Sequence, residues 1–201
     1  MAKIGLSKPR GAIYNASGST VTYATSQLIG KYTGFTLSIE SSDDNNLYAD
    51  NAVAETDPMF NGGTATLTTD DLAPAVMASM FGLASEAIDT TTADSLWYVW
   101  NDTQTIPYMG IGGVIKRKLG GVISYQAFVL PKVQFVNPAL ALSTQGQTIT
   151  WQTQDITANI FRSDSSDHRW FMMSSMFDTE DEADAVVAAF LSTPDETEPG
   201  G

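Results

Sequence analysis

The chain of 201 residues contains no cysteine, which excludes disulfides, thiol catalysis and cysteine-based zinc sites. Its single histidine, His168, cannot form a two-histidine metal site within one chain. Apolar runs of about 18 residues are absent, so we expect no membrane span. The basic first ten residues lack the apolar centre of a secretory signal. The sequence therefore predicts a protein that is made in the cytoplasm and does not bind a membrane.

The residues offer little to a catalytic site. Ser165, Ser166 and Asp167 precede His168, but sequence neighbours rarely form a catalytic triad, and the chain has no Gly-x-Ser-x-Gly motif. The glycines of residues 110–113 lack the spacing of a dinucleotide fingerprint and are typical of a strand that must leave room for a ring or a backbone. A carboxylate pair for glycoside hydrolysis stays open, because its spacing is spatial. We expect no enzyme and no cofactor.

Negative charge dominates the chain, which has a net charge of −13 from 23 acidic and 10 basic residues. Eight of these acids lie after residue 177, and no basic residue follows them: Asp178, Glu180, Asp181, Glu182, Asp184, Asp195, Glu196 and Glu198. Such a surface repels the phosphate backbone, so binding of nucleic acid by charge is disfavoured. An acidic wall would, however, let DNA slide past without sticking.

Apolar residues make up 43% of the chain, and their patterning predicts one mainly β (α+β) domain. Leu119-Gly120-Gly121 is typical of a hairpin turn, and a change of parity suggests a bulge near Gln154 and Asp155. The predicted strands are Ala12–Asn15, Thr20–Ala24, Tyr32–Ser41, Thr64–Thr68, Ser95–Trp100, Ile106–Lys118, Val122–Val136 and Ile149–Phe161.

Two helices are predicted. The first is capped by Asp70 or Asp71 and ends at Phe81 before Gly82. Its expected buried stripe is Leu72, Val76, Met77 and Met80. The second follows Thr179, which forms a capping box with Glu182. Its expected stripe is Ala183, Val186, Val187, Phe190 and Leu191.

The remaining segments suit an assembling subunit: an extended arm over residues 1–10, a domain over 11–191 with a long irregular loop over 42–63, and an acidic flexible tail over 192–201. We expect the loop to contact a neighbouring ring through Asp43, Asp44, Asn45, Asn46, Tyr48, Asp50 and Asn51. The candidate arm contacts are Lys3, Lys8 and Arg10, and the candidate contacts at the hairpin tip are Lys116, Arg117 and Lys118.

Two of these segments have alternative interpretations. The Asp/Asn-rich loop carries enough oxygen atoms for a structural cation, although it lacks the order of ligands of an EF-hand. The hairpin tip is interpreted as solvated, as a docking point for an acidic neighbour or, with less support, as a nucleic-acid patch.

Six stretches along the chain resemble the major tail proteins of phages with long, non-contractile tails. Their order and spacing carry the resemblance, and together they span nearly the whole length. They are residues 1–10 (MAKIGLSKPR), 46–51 (NLYADN), 66–72 (TLTTDDL), 130–133 (LPKV), 150–153 (TWQT) and 177–180 (FDTE).

The resemblance implies a β-sandwich of tail-tube type with a flanking helix. Subunits of that family form hexameric rings, the rings stack into a tube in the virion tail, and DNA passes through its lumen. The implied partners are other copies of the chain, the tape measure protein, tail chaperones, the tail terminator and the distal tail protein. The protein would be made in the host cytoplasm, and a negative lumen would pass DNA without binding it.

Three other functions remain open from the sequence. The chain is also interpretable as a tail terminator or distal tail protein on the same fold. A carbohydrate-binding β-sandwich on the virion is another alternative, and the third is a glycoside hydrolase. A sugar platform would use the four tryptophans Trp97, Trp100, Trp151 and Trp170, although tryptophan in a strand is more often core.

Overall fold

The computed structural model describes residues 2–24, 26–42, 46–49, 52–56, 59–70, 72–87, 96–139 and 153–192. Within these ranges the chain forms thirteen strands and two helices. They are β1 (Ala2–Ser17), β2 (Thr20–Tyr23), β3 (Gln27–Leu28), β4 (Tyr32–Ser42), β5 (Asn46–Ala49), β6 (Ala52–Thr56), β7 (Met59–Thr69), α1 (Pro74–Phe81), β8 (Ala84–Ala87), β9 (Leu96–Val99), β10 (Tyr108–Leu119), β11 (Val122–Phe135), β12 (Gln154–Phe161), β13 (Met172–Phe177) and α2 (Glu180–Phe190).

Nine of the strands form one antiparallel sheet in the order β2-β1-β10-β11-β12-β7-β4, with β13 also paired to β11 and β3 to β1. The sheet curls over and brings β4 close to β10, so that the Tyr32 hydroxyl on β4 donates to the Gly112 carbonyl on β10 at 3.2 Å. The rings of Phe35 and Phe128 also meet across the fold, with centroids 5.0 Å apart. The predicted mainly β fold with two helices is confirmed, and the facing layers belong to one connected sheet.

The main core lies inside the curl and is closed at one end by α1. Its buried side chains include Leu67, Phe81, Ile111, Leu130 and Ile156. β7 and β12 alternate between buried and more exposed residues, as expected where one face of a sheet covers a core. The middle parts of β10 and β11 are instead buried on both faces.

A second core lies between the outer face of β1, β10 and β11 and helix α2. The predicted capping box is confirmed: the Thr179 hydroxyl accepts from the Glu182 amide, and the Glu182 carboxylate accepts from the Thr179 amide. Ala183, Val187 and Leu191 are fully buried, whereas Val186, which was placed on the same stripe, is exposed. The stripe is therefore narrower than predicted.

Helix α1 starts later than predicted. Its N-cap is Ala73, which makes no side-chain capping bond, and Pro74 occupies the first turn. Asp70 instead accepts a hydrogen bond from the Lys31 amide at 3.0 Å, while Asp71 lies outside the described residues. The predicted stop at Gly82 is confirmed, since Gly82 adopts the left-handed conformation.

The central hairpin of β10 and β11 is confirmed, with Gly120 and Gly121 at positive φ in the turn. The glycines of β10 do leave room for neighbours. A Cβ on Gly110 would lie 2.6 Å from the Tyr23 ring, and one on Gly113 would lie 2.7 Å from the Tyr32 ring. The suggested bulge near Gln154 is wrong for the described residues, because β12 pairs with β7 without a register shift from that residue onward.

The prediction of a separate N-terminal arm is wrong. Residues 2–7 form the first part of β1 and pair with residues 114–118 of β10. Pro9 does not end the strand; Lys8 takes a positive φ of 52°, and the pairing shifts between Ser7 and Arg10. A bulge thus accommodates the proline within an ordered strand.

The prediction of a long irregular loop over residues 42–63 is also wrong. β5 and β6 pair as a small hairpin within it, and β7 already begins at Met59. Clustered Asp and Asn residues suggest a loop, but the described backbone of residues 46–49 and 52–56 pairs as strand. The acidic tail from residue 193 onward lies outside the described residues.

Candidate assembly surfaces

Four strands of the large sheet have one described neighbour each: β2 and β3 both pair with β1 alone, β4 pairs with β7 and β13 pairs with β11. β2 and β3 are only four and two residues long, so β4 and β13 present the longer open edges. β4 is eleven residues long and carries one charged residue, Glu40, with no lysine, arginine or proline, and β13 (Met-Met-Ser-Ser-Met-Phe) carries neither charge nor proline. Proteins usually protect such edges with charge, proline or a cover, because an open edge pairs with other strands.

The far end of the β10–β11 hairpin collects exposed apolar and basic side chains. We call this surface the hairpin end; it consists of Lys3, Lys116, Arg117, Lys118, Leu119, Val122 and Ile123. Val122 is 70% exposed and Leu119 is 56% exposed. Lys3 of β1 lies opposite Arg117, so the topology adds a fourth cation that sequence order does not place there.

The cations of the hairpin end differ from the other basic residues. Ion pairs with described carboxylates involve Lys8, Arg10, Lys31, Lys132 and Arg169, whereas none involves Lys3, Lys116, Arg117 or Lys118. The last basic residue, Arg162, donates to the Phe60 carbonyl. Four of the five cations without an ion pair to a described carboxylate therefore lie together at the hairpin end, and Arg162 is the fifth.

Two of the predicted arm contacts are instead used within the subunit. The Arg10 guanidinium donates to both carboxylate oxygens of Asp184 on α2, at 2.5 and 2.8 Å. These bonds hold the pKa of Asp184 below its usual range and raise that of Arg10. Lys8 lies 3.8 Å from Asp181. Lys8 and Arg10 thus join β1 to α2, and only Lys3 of the three stays a candidate for an external contact.

The predicted loop contacts are described only in part. Asn46 and Tyr48 lie on β5. Asp43, Asp44, Asn45, Asp50 and Asn51 lie outside the described residues, so contact with a neighbouring ring stays a prediction, as does a cation there. Among the residues that are described, no group of three acidic or histidine side chains is placed to hold a metal ion.

His168 does not form a catalytic triad with its neighbours. Its Nδ1 lies 3.2 Å from the Ser163 carbonyl, and its amide donates to the Ser165 carbonyl. Asp167 is engaged by Arg169. The histidine sits at a positive φ of 50° in a loop held by local bonds, which is a structural position.

A partly buried polar network fixes that loop to the sheet. The Tyr14 hydroxyl accepts from the Asp164 amide at 2.8 Å and donates to its carboxylate at 2.9 Å. Lys132 lies 2.6 Å from the same carboxylate and, with this bond as the main cause, lowers the pKa of Asp164. Burial raises the pKa of Tyr14. Lys132 also lies over the rings of Tyr14 and Tyr108.

Replacing Tyr14 with phenylalanine should lower the free energy of unfolding by about 1–2 kcal/mol, because the Asp164 amide and carboxylate both lose a partner. Chemical denaturation measures the change. Tyr125→Phe is the matched control, since the Tyr125 hydroxyl makes no hydrogen bond to a described residue, and its loss should change stability by less than about 0.5 kcal/mol. Equal effects of the two variants would contradict the assigned network.

The tryptophans are not all core residues, which corrects the sequence interpretation. Trp97 on β9 is 57% exposed and Trp100 is 47% exposed. Trp170 stacks on the Phe60 ring, with centroids 4.6 Å apart, and packs against the main core, so one face of its ring is not available to a sugar. Trp151 lies outside the described residues.

A shallow groove of about 470 Å³ opens where β7 and β12 stop pairing. Its lining includes Phe60, Gly62, Phe161 and Arg162. The Arg162 guanidinium already lies over the Phe60 ring and bonds to the Phe60 carbonyl, so the one cation among the described residues of the groove is occupied within the subunit. None of the helices in the described ranges combines the length and the apolar character that crossing a membrane requires.

No model of a known protein family matches this chain, and no curated protein matches it. The fold and its surfaces therefore carry the functional argument.

Proposed function

We propose that this chain is a structural subunit that polymerises with copies of itself, and that its role is the tail tube of a long-tailed phage. One observation carries the proposal: β4 and β13 are the longest strands of the large sheet that have a described neighbour on one side only, and neither carries lysine, arginine or proline. Exposed edges of this kind pair with other chains unless they are covered. Pairing with further copies would cover both.

The two edges differ, so pairing between them is heterologous. The β4 edge of one copy would meet the β13 edge of the next, and such contacts close into a ring when the rotation per subunit allows it. A ring built in this way continues the sheet from subunit to subunit. Six subunits per ring and the stacking of rings come from the resemblance to tail tube proteins, not from the geometry of one subunit.

The charge of the chain supports a conduit for DNA. With a net charge of −13, the assembled wall would repel the phosphate backbone and let DNA pass without tight binding. The tape measure protein, tail chaperones, tail terminator and distal tail protein are the partners that this role implies. Its place is the virion tail, after synthesis in the host cytoplasm.

Placing a lysine on either edge should abolish polymerisation and leave the fold intact, because an edge lysine opposes pairing with a further strand. Thr36→Lys changes β4, and Ser175→Lys changes β13; both side chains are exposed. Thr66→Lys is the matched control, since Thr66 lies directly opposite Thr36 on β7, which has neighbours on both sides. Negative-stain electron microscopy and light scattering of the purified proteins measure assembly, and thermal unfolding checks the fold.

The expected result is tubes from the unchanged protein and from Thr66→Lys, with folded monomers from the edge variants. Tubes from both edge variants would contradict the edge-pairing mechanism, and an unchanged protein that remains monomeric at all concentrations would contradict self-assembly. Single rings that never stack would favour a tail terminator or distal tail protein. Glycan binding that depends on Trp97 would favour a carbohydrate-binding role.

A further inference from the structure

Each face of the hairpin end carries both basic and apolar side chains, which is unusual for a ribbon that projects into solvent. Because directly opposed residues share a face, Arg117 and Lys3 lie on one side with Leu119 and Val122. Lys118 lies on the other side with Ile123. A solvated ribbon normally separates an apolar from a polar face. The mixture on both sides is typical of a segment that enters a partner.

The same subunit carries a surface of complementary chemistry at the start of α2. Its acids are Asp178, Glu180 and Asp181. Among the described residues, their one ion pair is the 3.8 Å contact between Asp181 and Lys8. The Asp181 side chain is 93% exposed. Exposed apolar side chains also lie on β13 (Met173 and Met176) and on α2 (Val186). The two elements that carry or flank the acids thus also carry exposed apolar groups.

We propose that the hairpin end docks on the start of α2 in a second copy of this chain. The cations would meet Asp178, Glu180 and Asp181, and Leu119, Val122 and Ile123 would be covered by apolar side chains of the same surface. A nucleic acid fits less well, because it offers no apolar surface to these residues and because the chain as a whole is strongly acidic. The inference rests on the proposed self-assembly and adds a contact through side chains of α2 and β13, in addition to the backbone pairing of the β4 and β13 edges.

Charge reversal tests this contact. The variant Lys116→Glu/Lys118→Glu should raise the protein concentration needed for assembly by about tenfold, because like charges then face each other. The variant Asp178→Lys/Glu180→Lys should do the same. Combining all four changes should restore assembly, which a merely structural role of these residues would not do. Lys31→Glu is the control for a change of surface charge away from the hairpin end. Light scattering across a concentration series, at low and high salt, measures each protein.

The outcomes separate this inference from the proposed function. Normal assembly of either reversed variant, while the unchanged protein forms tubes, would overturn the docking contact and leave edge pairing in place. Loss of assembly without recovery in the combined variant would also overturn the pairing with α2. Gel-shift of a DNA fragment that disappears with Lys116→Glu/Lys118→Glu would replace a second copy by a nucleic acid. An unchanged protein that never assembles would overturn the proposed function and this contact together.

Discussion

Replacing Asp184 with asparagine should lower the free energy of unfolding by about 2–3 kcal/mol at neutral pH. Breaking a fully buried pair typically costs about 3–5 kcal/mol, because the remaining charge is left without a partner. The side chains of Arg10 and Asp184 are 20% and 11% exposed, so water partly solvates the remaining guanidinium and reduces the loss. Denaturant unfolding of the two proteins measures the difference.

The same variant predicts a dependence on pH. The pKa of Asp184 is lower in the folded chain than in the unfolded chain, where it lies at about 3.9. The stabilisation is therefore complete above the unfolded pKa and is lost as the pH falls through the folded pKa. The difference between the native protein and Asp184→Asn should be constant above about pH 5 and shrink below about pH 4.

Asp181→Asn is the control for this prediction, since Asp181 is one turn away on the same helix and its pair with Lys8 is exposed. Its effect on stability should stay below about 0.5 kcal/mol. A loss at Asp184 no larger than the loss at Asp181 would show that the pair does not hold α2 on the sheet.

Replacing Gly112 with alanine should lower the free energy of unfolding by about 3 kcal/mol, the upper end of what overpacking costs. The added Cβ would lie 2.6 Å from the Phe128 carbonyl oxygen and 2.8 Å from Val187 on α2. Neither neighbour yields easily, because the carbonyl belongs to the backbone of the paired strand β11 and Val187 is fully buried. The strand and the helix would both have to shift.

Gly5→Ala is the matched control, because Gly5 is also a strand glycine and the nearest atom to its added Cβ lies 3.4 Å away. We expect it to change stability by less than about 0.5 kcal/mol. Thermal and denaturant unfolding compare the two variants. If both cost the same, close packing of α2 on β10 is not what requires a glycine at position 112.

Local signals allowed several elements to be predicted from the sequence. The capping box of Thr179 and Glu182 and the turn at Gly120 and Gly121 act through residues next to each other in the chain, and both are confirmed. The three basic residues of residues 116–118 were also visible as a cluster. Each of these features is written within a few residues.

Features set by distant pairing were missed. The sequence of β13 does not alternate cleanly between apolar and polar residues, since the strand lies at an edge beside β11 and is only partly buried. The first ten residues resemble an arm because their partner, β10, lies about a hundred residues away. The position of β4 and β13 at the sheet edges, and the meeting of Lys3 with Arg117, follow from strand order, which composition and periodicity do not specify. The pair of Arg10 with Asp184 spans 174 residues and leaves no local pattern.

The pairing of β1 with β10 and α2 has a consequence for synthesis on the ribosome. A strand that starts at residue 2 must wait until residues 108–119 have emerged before it finds its partner, and the second core closes only when Leu191 is available. Contacts of such separation form slowly, because the intervening chain must be ordered first. Strand β13 and the acidic start of α2 are made after β4 and the hairpin end. A nascent chain therefore carries β4 and the hairpin end before it carries the surfaces to which they would bind. Only complete chains would be able to join a further subunit through all of the proposed contact surfaces.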